Sequence, residues 1–281
     1  MSDKSRNFRS SYYDKVGFRG VEEKKSLEIL INEKPMDKEK LSKFCLRFTL
    51  PAIYREYVWK VLLGILPVNV ERHNSVLNQR SEYYKELEHS LEIMRKITKE
   101  TPKPIIHTLM FLLIEEVLDF ETQRQLETTE VQNIISLATF FLDVCSTEIA
   151  FWMLRNFILY QQRFNILPKF LIENLESVLR QEDDVLYEHL RQIKALEALP
   201  LDMWFGRYFT GVIHESSLAR IFDKVMGGSC KILPYVAASL LIVRRHLLLP
   251  LNDSAKIIDI LKQNPEDISD MIVNKTLDLY S

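Results

Sequence analysis

Glycine and cysteine are both scarce in this sequence, which has 7 glycines and 3 cysteines among 281 residues. With so few glycines and little alternation of apolar and polar residues, a fold of many strands is disfavoured. Cys45, Cys145 and Cys230 are scattered without metal-site spacing, so we expect reduced thiols in a cytosolic protein. The chain also lacks an excess of positive charge, since 37 lysines and arginines are balanced by 39 acidic residues. Nucleic-acid binding is therefore not expected.

Long uninterrupted apolar runs are also absent. The segment 105–118 contains a histidine and two glutamates, and the segment 232–250 is broken by Pro234, Arg244 and Arg245. A membrane-spanning helix needs about 20 mostly apolar residues without such charges. The polar first residues lack the apolar core of a secretory signal. We therefore expect helices of a protein core and no membrane insertion.

Apolar residues instead recur at helical spacing along most of the chain. The stripes at 41–48, 54–62, 84–94, 131–142 and 218–225 follow the three-to-four-residue period of amphipathic helices. Short connections and the absence of repeats or flexible linkers predict an all-α fold in two packed helical halves. The expected division is an N-terminal segment, 1–20, and one domain, 21–281, with a seam near 120–128. No metal or cofactor motif is found.

Three segments carry recognisable motifs. The first is "YREYVWKVLLGILP", residues 54–67, in which Arg55 and Trp59 taken alone predict only a guanidinium packed on a buried indole. The second is "EIAFWMLRNFI", 148–158, and the third is 199–233, which contains "FDKVMGG". Together they resemble the TBC domain, the fold of Rab GTPase-activating proteins, and cover most of the chain. The residues that match its signatures are Arg55, Trp59, Gly64, Phe151, Trp152, Trp204, Phe222, Asp223 and Gly228, with Phe222 where the family usually has tryptophan.

Active members of this family supply two catalytic side chains, an arginine in Ile-x-x-Asp-x-x-Arg and a glutamine in Tyr-x-Gln-Gly. The arginine neutralises charge on the transferred phosphoryl group, and the glutamine orients water; an arginine finger accelerates hydrolysis about 10³- to 10⁵-fold. Neither motif occurs here. "ITKETPK" places Lys103 at the arginine position, and lysine lacks the planar guanidinium. Gln162 follows the second segment rather than preceding it, and Gln132 has no adjacent tyrosine. The resemblance therefore implies a TBC fold without catalytic residues.

The N-terminal residues 6–30 are similar to the branch of the family that forms the third subunit of the tuberous sclerosis complex. This likeness implies binding to the coiled coil of hamartin, and association with tuberin through the complex, which inactivates the GTPase Rheb and restrains mTOR signalling. It also implies a cytoplasmic protein recruited to lysosomal or vesicle surfaces through the complex. Apolar residues available for a docking surface are Leu109, Phe111, Leu112, Ile114 and Leu118, although a core position explains them as well.

Two alternatives remain open from the sequence. One is an active Rab GTPase-activating protein that uses unorthodox residues, such as Lys103 with Gln132 or Gln162. The other is an effector that binds a Rab GTPase without accelerating hydrolysis. A further segment, "MRKITKETPK" at 94–103, is rich in lysine and arginine. It suits either a solvated face or contact with an anionic surface.

Overall fold

The computed structural model describes residues 21–164, 168–262 and 264–280, and these residues contain α-helices but no strand. The helices are α1 Val21–Asn32, α2 Lys38–Arg47, α3 Ala52–Leu62, α4 His73–Ile93, α5 Lys103–Ile114, α6 Thr122–Leu126, α7 Thr129–Val144, α8 Thr147–Gln162, α9 Pro168–Glu182, α10 Asp184–Gln192, α11 Ala195–Ala198, α12 Leu201–Gly206, α13 Glu215–Met226, α14 Leu233–Val243, α15 Arg245–Leu248, α16 Ser254–Leu261 and α17 Glu266–Tyr280. Single turns of 3₁₀-helix lie at Val70–Arg72 and Cys230–Ile232. The all-α prediction is confirmed.

The helices begin and bury their faces much as their local sequence dictates. The Asp37 carboxylate accepts hydrogen bonds from the amides of Glu39 and Lys40 and thereby caps α2. Helix α13 buries Leu218, Ile221, Phe222 and Val225, each at most 1% exposed. One apolar prediction is wrong at the end of α4. Met94 was expected on the buried face, but it follows the last helical residue and is 46% exposed.

The chain divides into two compact units. The first comprises the described part of Met1–Leu118 together with Val144–Arg163 and Phe222–Ser229. Within it, α1 packs on α2, α2 on α3, α4 on α5, and α5 on α8. Its core contains Trp59, Phe151 and Phe157, each at most 1% exposed.

The second unit comprises Asp119–Asp143, Phe164–Ile221 and Cys230–Ser281. Within it, α14 packs against both α9 and α17, and α10 packs against α9 and α11. Helix α14 is apolar on nearly every face, and its buried residues accordingly run from Leu233 to Leu241 with few interruptions.

The sequence predicted one seam at 120–128, whereas the chain passes from one unit to the other several times, and each unit is built from three separate segments. The first boundary falls between Leu118 and Asp119, and a later one divides α13 between Ile221 and Phe222. The predicted N-terminal segment, 1–20, lies outside the described residues. In the part of the chain that the structure describes, no helix is long and apolar enough to cross a membrane.

Candidate functional site

A buried carboxylate organises the first motif. Asp223, on α13, is 0% exposed and accepts four hydrogen bonds. Its Oδ1 receives Arg55 Nε and Trp59 Nε1, both at 3.0 Å. Its Oδ2 receives Arg55 Nη2 at 3.2 Å and the amide of Leu50 at 3.0 Å. Burial raises the pKa of Asp223, while the Arg55 guanidinium opposes the shift. These four hydrogen bonds satisfy the buried carboxylate, and Arg55 supplies its counter-charge. We call this group the Asp223 cluster: Leu50, Arg55, Trp59 and Asp223.

The spacing of the motif explains how the cluster forms. Arg55 and Trp59 are one helical turn apart on α3, so both side chains reach the same carboxylate. Trp59 is buried, as the sequence predicted, at 1% exposure. Its ring lies 6.1 Å from that of Phe222, which in turn lies 5.4 Å from Phe157. Phe222 thus keeps an aromatic contact at the position where the family has tryptophan.

The cluster also fixes the connection between α2 and α3. Arg55 Nη2 donates to the Leu50 carbonyl at 2.7 Å. Lys224, only 4% exposed, donates to the carbonyls of Leu46 and Phe48, both at 3.0 Å. Sequence reasoning did not anticipate this role of Lys224, because its backbone acceptors lie far away in the chain. The Arg55 side chain is 14% exposed and uses both its Nε and Nη2 within the fold. Arg55 therefore has a structural role, and two of its guanidinium nitrogens are occupied within the fold.

The second motif lies on α8 and forms an aromatic layer. Phe151 is 5.8 Å from Tyr84 and 5.7 Å from His107, ring to ring, and Tyr84 Oη lies 3.2 Å from His107 Nε2. Burial lowers the pKa of His107 to about 4 and raises that of Tyr84. Trp152 stacks under the Arg80 guanidinium at 4.7 Å. Both motif residues are therefore core residues.

The other signature residues have equally local roles. Gly64 follows α3 with φ +71°, and Arg80 donates to its carbonyl at 3.2 Å. Gly228 follows α13 with φ +100°, a left-handed conformation that glycine adopts without strain. Trp204, on α12, is 2% exposed and lies 5.8 Å from Phe209. These positions shape turns and cores.

Lys103, at the degenerate arginine position, is occupied by an ion pair. It is the first residue of α5, its side chain is 49% exposed, and its Nζ lies 2.6 Å from Glu88 Oε1. An amine in this pair has lost part of its capacity to stabilise a second anion. It also lacks the second nitrogen that a bidentate contact needs.

The two candidate glutamines lie elsewhere. Gln132, in the first turn of α7, donates from Nε2 to the Leu126 carbonyl at 2.7 Å. Gln162 is the last residue of α8 and is exposed.

Lys103 and Gln162 cannot act on one phosphate, because they lie toward opposite ends of two adjacent helices. Helices α5 and α8 run in the same sense, since His107 contacts Phe151 near their starts and Glu115 pairs with Arg155 further on, at 2.9 Å. Gln162 lies about 16 Å along the axis beyond Phe151, whereas Lys103 precedes His107 by about one turn.

The proposed docking residues are mostly internal. Leu109, Phe111 and Leu112 are 1%, 5% and 4% exposed. Ile114 and Leu118 are partly exposed. A surface at this location therefore consists of the last two residues, because the first three already pack within the chain. Among the described residues, no group of three or more histidine, cysteine or acidic side chains is arranged to hold a metal ion.

Comparison with known proteins agrees with the motifs. The model of the Rab-GTPase-TBC domain matches residues 53–249. The chain belongs to this TBC family. It is 42% identical over 280 residues to TBC1 domain family member 7 of Danio rerio, a match that covers 99% of this chain and 95% of the relative. The Homo sapiens protein of the same name is 41% identical over 284 residues, with the same coverage.

Solved TBC domains share the fold at much lower identity. The Ypt/Rab-GAP domain of Gyp1p superposes with a TM-score of 0.59 at 17% identity, covering 92% of this chain and 98% of that one. The Chlamydomonas flagellar RabGAP TBC domain has a TM-score of 0.59 at 16% identity, with 90% and 88% covered. These structures support the TBC architecture and no more.

Proposed function

We propose that this TBC protein acts by binding rather than by catalysis, as the third subunit of a tuberous sclerosis complex. It docks on the coiled coil of hamartin, contacts tuberin through the complex, and stabilises the assembly that inactivates Rheb and restrains mTOR signalling. The protein acts in the cytoplasm and reaches lysosomal or vesicle surfaces through the complex. The likeness to TBC1 domain family member 7 along 99% of the chain supports this choice over other TBC branches.

One observation supports the non-catalytic part of the proposal: Arg55, Lys103 and Gln132 already make polar contacts within the chain. Arg55 is committed to Asp223, Lys103 to Glu88, and the Gln132 amide to a backbone carbonyl. A transition state with spread negative charge needs a guanidinium whose donors face the phosphate. A TBC fold whose sequence lacks both finger motifs supports a function in binding other proteins.

The first experiment tests docking. The full chain is co-expressed with a C-terminal coiled-coil fragment of hamartin and passed over a size-exclusion column. A stoichiometric complex is expected, and separate elution of the two proteins contradicts the proposal. Ile114→Glu with Leu118→Glu then tests whether the partly exposed residues at and just after the end of α5 form the contact. The matched control is Val185→Glu, at an exposed apolar residue of α10.

The second experiment tests the alternatives. Single-turnover GTP hydrolysis by a panel of Rab GTPases is measured with and without the protein. The proposal expects no stimulation, and any stimulation that Lys103→Ala or Gln132→Ala abolishes establishes the unorthodox activator instead. The Rab effector is favoured only by the shared fold of the solved TBC domains. It predicts GTP-dependent Rab binding without hydrolysis, in the absence of a hamartin complex.

A further inference from the structure

The connection between α4 and α5 exposes two adjacent apolar side chains. Ile93, the last residue of α4, is 69% exposed, and Met94 is 46% exposed. Single exposed apolar residues are ordinary on protein surfaces, but two in succession beside several cations are a more specific arrangement.

Cations follow this apolar pair directly. Arg95 and Lys99 are exposed, and neither forms an ion pair with a residue that the structure describes. Lys96 is partly exposed. Two carboxylates counter these three charges, Glu92 and Glu100, so the local excess is a single positive charge. We call residues 93–99 the cationic apolar loop.

The loop has a defined shape. Ile97 is 6% exposed and anchors its middle in the core. The backbone turns sharply at Arg95, where φ is +56°. On the C-terminal side, the amide of Thr98 donates to Thr101 Oγ1 at 2.9 Å, and the amide of Glu100 donates to Thr98 Oγ1 at 3.3 Å. Because these contacts already order the loop, little conformational entropy is lost when its exposed side chains bind a surface.

We propose that the cationic apolar loop binds the surface of an anionic phospholipid bilayer. Ile93 and Met94 enter the boundary between headgroups and acyl chains, while Arg95 and Lys99 extend their long side chains to the lipid phosphates. The apolar pair anchors the loop at this boundary, and the cations supply the preference for anionic lipid. This contact is made by the chain itself and does not depend on the proposed hamartin complex.

A bilayer fits these residues better than an acidic protein does. A protein partner needs a shaped surface that buries apolar residues and pairs charges one by one. The loop instead offers a small apolar tip followed by flexible cations, which suits a deformable surface with diffuse charge.

The test is co-sedimentation of the full chain with vesicles of phosphatidylcholine, with or without phosphatidylserine. Binding is expected only to the anionic vesicles and is expected to weaken as salt is added. The double variant Ile93→Ser/Met94→Ser is expected to bind at least about tenfold more weakly. Arg95→Ser/Lys99→Ser is expected to bind roughly 25-fold more weakly, since each cation near an anionic surface contributes about fivefold.

A second readout measures insertion itself. The three native tryptophans, Trp59, Trp152 and Trp204, are 1%, 3% and 2% exposed, so their emission forms a constant background. Ile93→Trp adds an exposed reporter whose emission should shift to shorter wavelength with anionic vesicles. Val185→Ser/Met271→Ser removes exposed apolar residues elsewhere and is the matched control.

Each of three outcomes in these vesicle experiments would overturn the proposal. They are no binding of the native chain to anionic vesicles, equal binding by the loop variants, and an unshifted Ile93→Trp spectrum. Loop-dependent binding to polyglutamate but not to vesicles would assign the loop to an acidic protein partner and likewise refute the bilayer.

Discussion

Replacing Arg55 with methionine should be severely destabilising, because it leaves the buried Asp223 carboxylate without its hydrogen-bonded ion-pair partner. The substitution removes three hydrogen bonds, two to the carboxylate and one to the Leu50 carbonyl. Only Trp59 Nε1 and the Leu50 amide then remain among the cluster's donors to Asp223. Breaking a buried pair by removing one partner costs about 3–5 kcal/mol. That is a large share of the roughly 5–15 kcal/mol by which domains are stable.

The free energy of unfolding is measured by urea titration, with near-ultraviolet circular dichroism as the probe. The double variant Arg55→Met/Asp223→Leu removes both charges and should recover much of the loss, because a buried pair and an apolar replacement are often similar in stability. Arg191→Met, which breaks an exposed pair with Glu188, is the control and should change little. A cost below about 1 kcal/mol for Arg55→Met, or no recovery in the double variant, would refute the buried-pair reasoning.

Three further predictions follow from the core and the site. The folded chain keeps His107 neutral, with its pKa lowered to about 4, whereas the same histidine in the unfolded chain binds a proton below about pH 6.5. The contribution of the neutral His107 to the free energy of unfolding should therefore be complete above pH 6.5 and be lost as the pH falls toward 4. His107→Gln should remove about 2 kcal/mol of the decline between pH 7 and pH 5, measured as the difference in urea titrations; an unchanged slope contradicts this. Gly228→Val should lower stability by at least about 1 kcal/mol, because φ is +100° there, and a neutral result would mean that the turn relaxes. Lys103→Ala should leave hamartin binding and Rab GTP hydrolysis unchanged, since the Lys103 amine, at the start of α5, pairs with Glu88 of α4.

The docking surface shows where sequence reasoning reaches its limit. A run of apolar residues at 105–118 predicts that these side chains are buried, but it does not tell whether they pack in the protein core or against a partner. The structure puts Leu109 and Phe111 inside the chain and leaves Ile114 partly exposed. The same uncertainty affected Met94, which continues an apolar stripe by its spacing but comes after the helix has ended. Periodicity describes a helix face only while the helix lasts.

Helical spacing and composition were enough to establish an all-α fold, because both are local properties of the chain. The spacing of Arg55 and Trp59, and the absence of both finger motifs, could likewise be read directly. The meeting of these two residues with Asp223 could not, since it joins positions more than 160 residues apart. Lys224 and the carbonyls that it binds were missed for the same reason. Local sequence determines which helices form, whereas only the packed structure decides which distant groups satisfy a buried charge.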